Sequence, residues 1–176
     1  EADGLLGAPP VRILLGEDAH ATVISALRYL GFGSRQQRIA TDDEGRMDPV
    51  ALAEALASGE GPAIVIAQAG QINTGAFDPF EPIAAACRAH GAWLHVDGAF
   101  GLWARATPER AGLTVGVEAA DSWAVDGHKW LQIPYDSGFA IVRHAESHRR
   151  AMSIDASYLP PAGDQEHDPK IGRAHV

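Results

Sequence analysis

The sequence predicts an α/β domain with a mainly parallel sheet and flanking helices. Short apolar runs of strand character alternate with stretches of helical spacing along most of the chain, an order that argues for βα units joined by right-handed crossovers. Ala63-Ile64-Val65-Ile66-Ala67 is apolar at every position, as expected of a strand covered on both faces in a parallel sheet. The 176 residues, 46% hydrophobic and 21% charged, suffice for one domain with a substantial core and exclude a disordered chain.

Each element has its own signal. Val11 to Leu15 reads as the first strand, and His20 to Leu30 has helical spacing, with Val23, Ile24, Leu27 and Leu30 on one side. Gly31 supplies the stop. Arg38-Ile39-Ala40 forms a short strand ahead of the polar turn Asp42-Asp43-Glu44-Gly45. Asp48-Pro49 is an N-cap followed by a first-turn proline, opening a helix through Leu52, Leu56 and Ala57 that ends by Gly59. After the strand Ala63 to Ala67 comes a helix through Ile83 and Cys87, ending near Gly91, and then the strand Trp93 to Asp97. Ser122 to Asp126 and Gly138 to Val142 are further strands, and Glu146 to Ala151 is a polar helix. No internal repeat or linker-like tract interrupts this order.

Composition removes several function classes. With 14 Lys+Arg against 23 Asp+Glu the formal charge is −9, so the clustered cations that bind nucleic acid or anionic lipid are not expected. No apolar stretch approaches the roughly 20 residues that span a bilayer, and no basic-then-apolar leader is visible, so neither an anchor nor a signal peptide is expected in these residues. The single cysteine, Cys87, cannot pair within the chain, which suits a reducing cytoplasm. Cys87 lies on an apolar helix stripe beside Ala84 and Ala86 and is read as a core filler.

The termini are read as expectations. Glu1 opens the sequence without an initiator Met and a buried strand follows within a few residues, so the chain is expected to continue upstream. The hexapeptide 171–176, Ile-Gly-Arg-Ala-His-Val, back-translates to a widely used sequencing adapter and is treated as a read-through artefact outside the fold.

Ligands of open parallel sheets bind beyond the carboxyl ends of the strands. That rule selects Asp97, which ends an apolar strand, and the segment Asp126-Gly127-His128-Lys129. A strand-end Asp is as often a turn cap as a functional group, and most lysines are solvated surface charges. Lys129, however, is followed by Trp130, Leu131, Ile133 and Tyr135, bulky apolar neighbours expected to desolvate the amine and free it as a nucleophile toward an aldehyde. Together the two residues make a pair in which a carboxylate holds a proton on a pyridine nitrogen and an amine binds the cofactor aldehyde. A crossover's length of chain separates them, enough to return both to one sheet edge.

The strings HVDGAFG and ADSWAVDGHKWLQIPYDSG, preceded by EDAHATV and NTGAFDPF, resemble the group II pyridoxal-phosphate-dependent amino acid decarboxylases of the aromatic-amino-acid decarboxylase type. The resemblance runs from about Leu14 to Leu159 and implies part of the large domain of a fold type I enzyme, spanning residues 1–170. It implies that Lys129 carries the cofactor aldehyde, that Asp97 partners the ring nitrogen, that Ala99 packs on one face of the ring and His20 stacks on the other, and that His128 lies near the phosphate. Tyr158, in Asp155-Ala156-Ser157-Tyr158-Leu159, matches the catalytic-loop tyrosine that protonates the substrate carbon after carbon dioxide leaves. The implied partners are an amino acid substrate and, in the complete protein, a second identical subunit.

Three departures stand out. Ile72 replaces a residue that often carries a cofactor-contacting hydroxyl, with Asn73 or Thr74 as the substitute. The Ser/Gly-rich phosphate cup and the C-terminal small domain are both missing from these residues, so this stretch alone is expected to bind cofactor poorly. Other readings left open are an aminotransferase or lyase of the same fold, since fold and cofactor do not fix the reaction, and an inactive truncated domain.

Overall fold

The computed structural model describes residues 7–33 and 36–152. Six strands, β1 (Arg12–Gly16), β2 (Gln36–Ile39), β3 (Ala63–Gln68), β4 (Trp93–Asp97), β5 (Ser122–Asp126) and β6 (Gly138–Val142), form one sheet in the order β2-β1-β3-β4-β5-β6. β1 to β5 are parallel, and β6 is antiparallel to β5. Helices α1 (Ala21–Tyr29), α2 (Pro49–Ala57), α3 (Phe80–Ala89) and α4 (Ala145–Met152) alternate with the strands. The mainly parallel α/β architecture expected from the sequence is therefore the one observed.

Strand alternation divides the apolar residues between two layers. Leu14, Val65, Leu94 and Val96 face α2 and α3, where they meet Leu52, Leu56, Phe80 and Ile83. Ile13, Leu15 and Ile66 point the other way, onto Leu27 and Val23 of α1. Cys87, 2% exposed, belongs to the first layer, as its helix stripe predicted. The expected caps are in place. Asp48 accepts N–H bonds from Val50 and Ala51 at the start of α2, and Gly31 takes the left-handed conformation after α1 with φ of 87°. Between β4 and β5 the chain makes three short 3-10 turns, Leu102–Ala106, Ala111–Thr114 and Val117–Ala119, for which no periodic signal exists. No helix among the described residues is long and apolar enough to cross a membrane.

Beyond the carboxyl end of β3 the chain folds back on itself around Asp78. This side chain, 7% exposed, accepts the Met47 N–H at 2.8 Å through Oδ1 and the Gln68 N–H at 2.7 Å through Oδ2. It thereby clips the loop between β2 and α2 to the last residue of β3. Burial pushes its carboxyl up to about 6, against the two N–H bonds, which favour the charged form.

The sign of the resulting pH dependence follows from linkage. A carboxyl raised on folding stabilises fully below its unfolded value near 3.8, and that contribution is lost as pH rises through about 6. Asp78→Asn removes the titration. The unfolding free energy of the variant relative to the parent is expected to move in the variant's favour by up to about 3 kcal/mol between pH 4 and pH 7, as read from urea denaturation at the two pH values. A difference independent of pH would show that Asp78 does not titrate in this range.

Candidate active site

The register of the sheet sets the site. Asp97 is the last residue of β4, paired with Gln68 of β3 on one side and Ala124 of β5 on the other. Its Oδ1 accepts the Ala99 N–H at 3.1 Å, which turns the chain sharply after the strand. Gly98 then donates its N–H to Ala124 O at 2.8 Å. A Cβ at Gly98 would come within 2.5 Å of Leu102 Cβ and 2.9 Å of Ala124 O, so the turn requires glycine. The segment continues across the end of β5, where Trp103 Nε1 donates to Asp126 O at 2.9 Å.

Lys129 follows β5 by three residues and meets the segment that Asp97 begins. Its Nζ lies 4.2 Å from the centroid of the Phe100 ring and 2.9 Å from Asp126 Oδ2. The bulky neighbours in sequence do not build this environment. Trp130 is 67% and Tyr135 85% exposed, and Leu131 and Ile133 are exposed as well. The expectation that they desolvate the amine is corrected here: Gln132 adopts a φ of 53°, the chain turns, and those side chains stand in solvent. An aromatic face and a carboxylate hold the amine instead.

His128 is half-buried. Its Nδ1 lies 2.7 Å from Ser137 O and 3.2 Å from Ser137 N. The ring packs on Tyr135 with centroids 4.6 Å apart, and Nε2 is 3.6 Å from Asp126 Oδ2. His20 sits past the carboxyl end of β1 and caps α1: Nδ1 accepts the Thr22 N–H at 3.3 Å and lies 2.7 Å from Thr22 Oγ1. β1 and β4 flank β3 on opposite sides, so His20 and Asp97 lie at the carboxyl edge of the sheet on either side of one strand.

In the loop after β3 the two candidates for the contact missing at Ile72 have different surroundings. Gln71 Oε1 accepts the N–H groups of Asn73 and Thr74 at 2.5 and 2.8 Å. The Thr74 hydroxyl is spent inside the fold, donating to Glu44 O at 2.7 Å while accepting the Ala76 N–H at 3.2 Å. Ile72 stands exposed at the tip, which leaves the Asn73 amide as the polar side chain of this loop outside that network.

Two clefts meet at Asp97. A small one beyond the carboxyl ends of β1, β3 and β4 is lined by Gly16, Ala19, Gly45, Gln68, Asp78 and Asp97. A broad open one of about 1210 Å3 runs over the sheet face that carries α1 and reaches Arg88 of α3, with Ile66, Trp93, His95, Asp97, Ser122 and Ala124 in its wall. Asp126 and Phe100, which hold the lysine, were not assigned roles from sequence. Asp126 lies in the strand-end segment singled out there, whereas Phe100 carries no signal of its own. Tyr158 lies outside the described residues, as do residues 171–176. No His/Cys/Asp/Glu group able to hold a metal ion occurs among the described residues.

Comparison with known proteins gives the chain's family. The pyridoxal-dependent decarboxylase conserved domain matches residues 8–170. The chain belongs to that family. It is 33% identical to an aromatic-L-amino-acid decarboxylase of Bacillus atrophaeus over 84% of this chain and 32% of the relative. It is 34% identical to a cysteine sulfinic acid decarboxylase of Rattus norvegicus over 89% of this chain and 33% of the relative. Its fold superposes on the crystal structure of mouse CSAD with a TM-score of 0.80 at 29% identity, covering 89% of this chain and 35% of that one. For the Oryza sativa TDC structure with PLP and tryptamine the TM-score is 0.81 at 28% identity, covering 92% and 34%. The chain thus spans about a third of the length of the relatives it matches. The donor set suits the family's pyridoxal cofactor: an acceptor-only carboxylate and a primary amine lie at neighbouring strand ends, joined by one segment.

Cys87 is no part of this chemistry. Burial, with a smaller contribution from Asp121, pushes its thiol up to about 12, so at neutral pH it is an inaccessible neutral thiol. Labelling of the native chain by a thiol reagent at pH 8 is expected to proceed only as fast as unfolding exposes the residue, and immediately in urea. Fast native labelling would contradict its core position.

Proposed function

We propose that the complete protein decarboxylates an amino acid to an amine and carbon dioxide, using pyridoxal phosphate bound at the carboxyl edge of the sheet. The observation that carries this reading is the single segment 97–103, which begins at Asp97, passes Phe100 beneath the Lys129 amine and ends with Trp103 bound to Asp126 O. When bound, pyridoxal phosphate supplies an aldehyde for amines and a ring that accepts the electron pair left by a departing carboxylate.

The protein's own groups serve that chemistry as follows. Asp97 would accept the ring N–H and keep it protonated. Lys129 presents the primary amine to the aldehyde once it leaves Asp126. His20 would hold the ring from the side opposite Ala99 and orient the substrate carboxylate, and His128 would help hold the phosphate. Asn73, its side chain outside the Gln71 and Thr74 network, takes the polar contact that Ile72 cannot make. Tyr158 holds the proton delivered to the carbon that has lost carbon dioxide, as general acid catalysis by a residue within hydrogen-bond reach. We read residues 1–170 as part of the cofactor-binding large domain, acting in a cytoplasmic homodimer. The family resemblance supports the dimer, and the single buried cysteine supports a reducing compartment. The acidic balance of the chain, −9, supports partners other than nucleic acid or anionic membranes.

The deciding experiment is product analysis on the complete polypeptide with carboxyl-labelled amino acids. Labelled carbon dioxide and an amine are expected, whereas a keto acid that keeps the label would reject decarboxylation. Asp97→Asn is expected to lower kcat/KM by roughly a hundredfold or more, the loss of a few kcal/mol of transition-state stabilisation. A parental rate would remove Asp97 from the chemistry. Tyr158→Phe is expected to keep releasing carbon dioxide while diverting product toward misprotonated or oxidised species, seen by chromatography of the reaction mixture. Unchanged amine yield would take the proton-donor role from Tyr158.

A further inference from the structure

The open face of the sheet carries a hydrogen-bond chain that the proposed chemistry does not use. Trp93, His95 and Asp97 alternate along β4 and line the same cleft, and His95 stands directly opposite Ser122 in β5. Trp93 Nε1 donates to Ser122 Oγ at 2.9 Å. An indole N–H only donates, which makes that oxygen an acceptor. Ser122 is buried, 9% exposed, so its own hydroxyl hydrogen needs an acceptor. His95 Nδ1, at 2.8 Å, supplies it. The imidazole proton is then on Nε2.

His95 is kept neutral. Burial holds its pKa below the usual histidine value, while the Asp97 charge acts in the opposite direction. The other charged or titratable groups along this cleft are Cys87 and Arg88 of α3, Glu118 and Asp121 ahead of β5, and Arg143 and His144 after β6; α1 contributes none.

Resting on the reading of Asp97 as partner of the ring nitrogen, we propose that Trp93, Ser122 and His95 form a fixed relay that presents the His95 Nε2–H to the Asp97 carboxylate. His95 is thus a positioning residue. Residues two apart on one strand face are separated by about 6.6 Å, a gap between imidazole and carboxylate that one water bridges. Asp97 Oδ1 already takes the Ala99 N–H, so the relay steadies the rest of the carboxylate. A neutral donor orients it and leaves its charge for the ring N–H, whereas an imidazolium would draw that charge to itself. This gives burial of His95 a function beyond packing.

The test starts without cofactor. Long-range 1H–15N spectra of the labelled chain, recorded between about pH 5 and pH 8, report the tautomer and titration of each histidine. His95 is expected in the Nε2–H tautomer, with a midpoint below the ordinary value. Ser122→Ala is expected to mix the tautomers, and Asp97→Asn to lower the His95 midpoint further. On the complete polypeptide, pyridoxal phosphate binding followed by tryptophan quenching is expected to weaken roughly tenfold in His95→Leu and to recover largely in His95→Gln, whose amide N–H stands in for Nε2–H. A His95 tautomer and midpoint untouched by Asp97→Asn would overturn the relay, as would equal cofactor binding by the Leu and Gln variants. If His95 responds to Asp97→Asn while cofactor binding by that variant stays parental, the relay stands and the ring-nitrogen role of Asp97 falls.

Discussion

The register of β4 is the constraint on which the rest of the site depends. Side chains on a strand alternate between faces, so a slip of one residue would carry Asp97 from the open cleft to the packed face. Leu94 and Val96, 1% and 0% exposed, prevent that slip, because it would exchange them for Trp93, His95 and Asp97 in a close-packed layer against α3. Apolar burial on one face thus fixes a carboxylate on the other. The same register sets His95 opposite Ser122 and brings Gly98 against Ala124, from which the segment toward Lys129 departs.

Most of this framework was legible in the sequence. Strands β4, β5 and β6 have the bounds that their apolar runs indicated, and α2 begins at the Asp48-Pro49 signal. These features depend on local pattern, which is why they can be read locally. The family resemblance was equally legible, because HVDGAFG and DGHKW lie at strand ends where sequence and position are tightly coupled.

What could not be read depends on contacts distant along the chain. The apolar residues after Lys129 suggested a dry pocket, yet composition does not tell which way a turn faces, and they stand in solvent. The groups that do surround the amine, Phe100 and Asp126, come from the end of one strand and the turn after another. Asp78 carries no signal of its own in the sequence. Its role became visible only when Met47 and Gln68 were brought to it by the folding of two separate loops. The Thr74 hydroxyl likewise finds its acceptor at Glu44, thirty residues away in sequence.

The reversal of β6 has a kinetic consequence. Because β6 runs antiparallel to β5, the loop that bears Lys129 is the connection of a hairpin, and contacts such as Gly127 N to Ser137 O at 2.9 Å join residues close in sequence. Hairpins of this kind close in roughly microseconds. The parallel pairing that delivers Asp97 requires crossovers, with the greater loop-closure cost that slows non-local contacts. The amine-bearing loop is therefore expected to take shape early in folding, and the carboxylate to arrive later as the parallel core assembles around it.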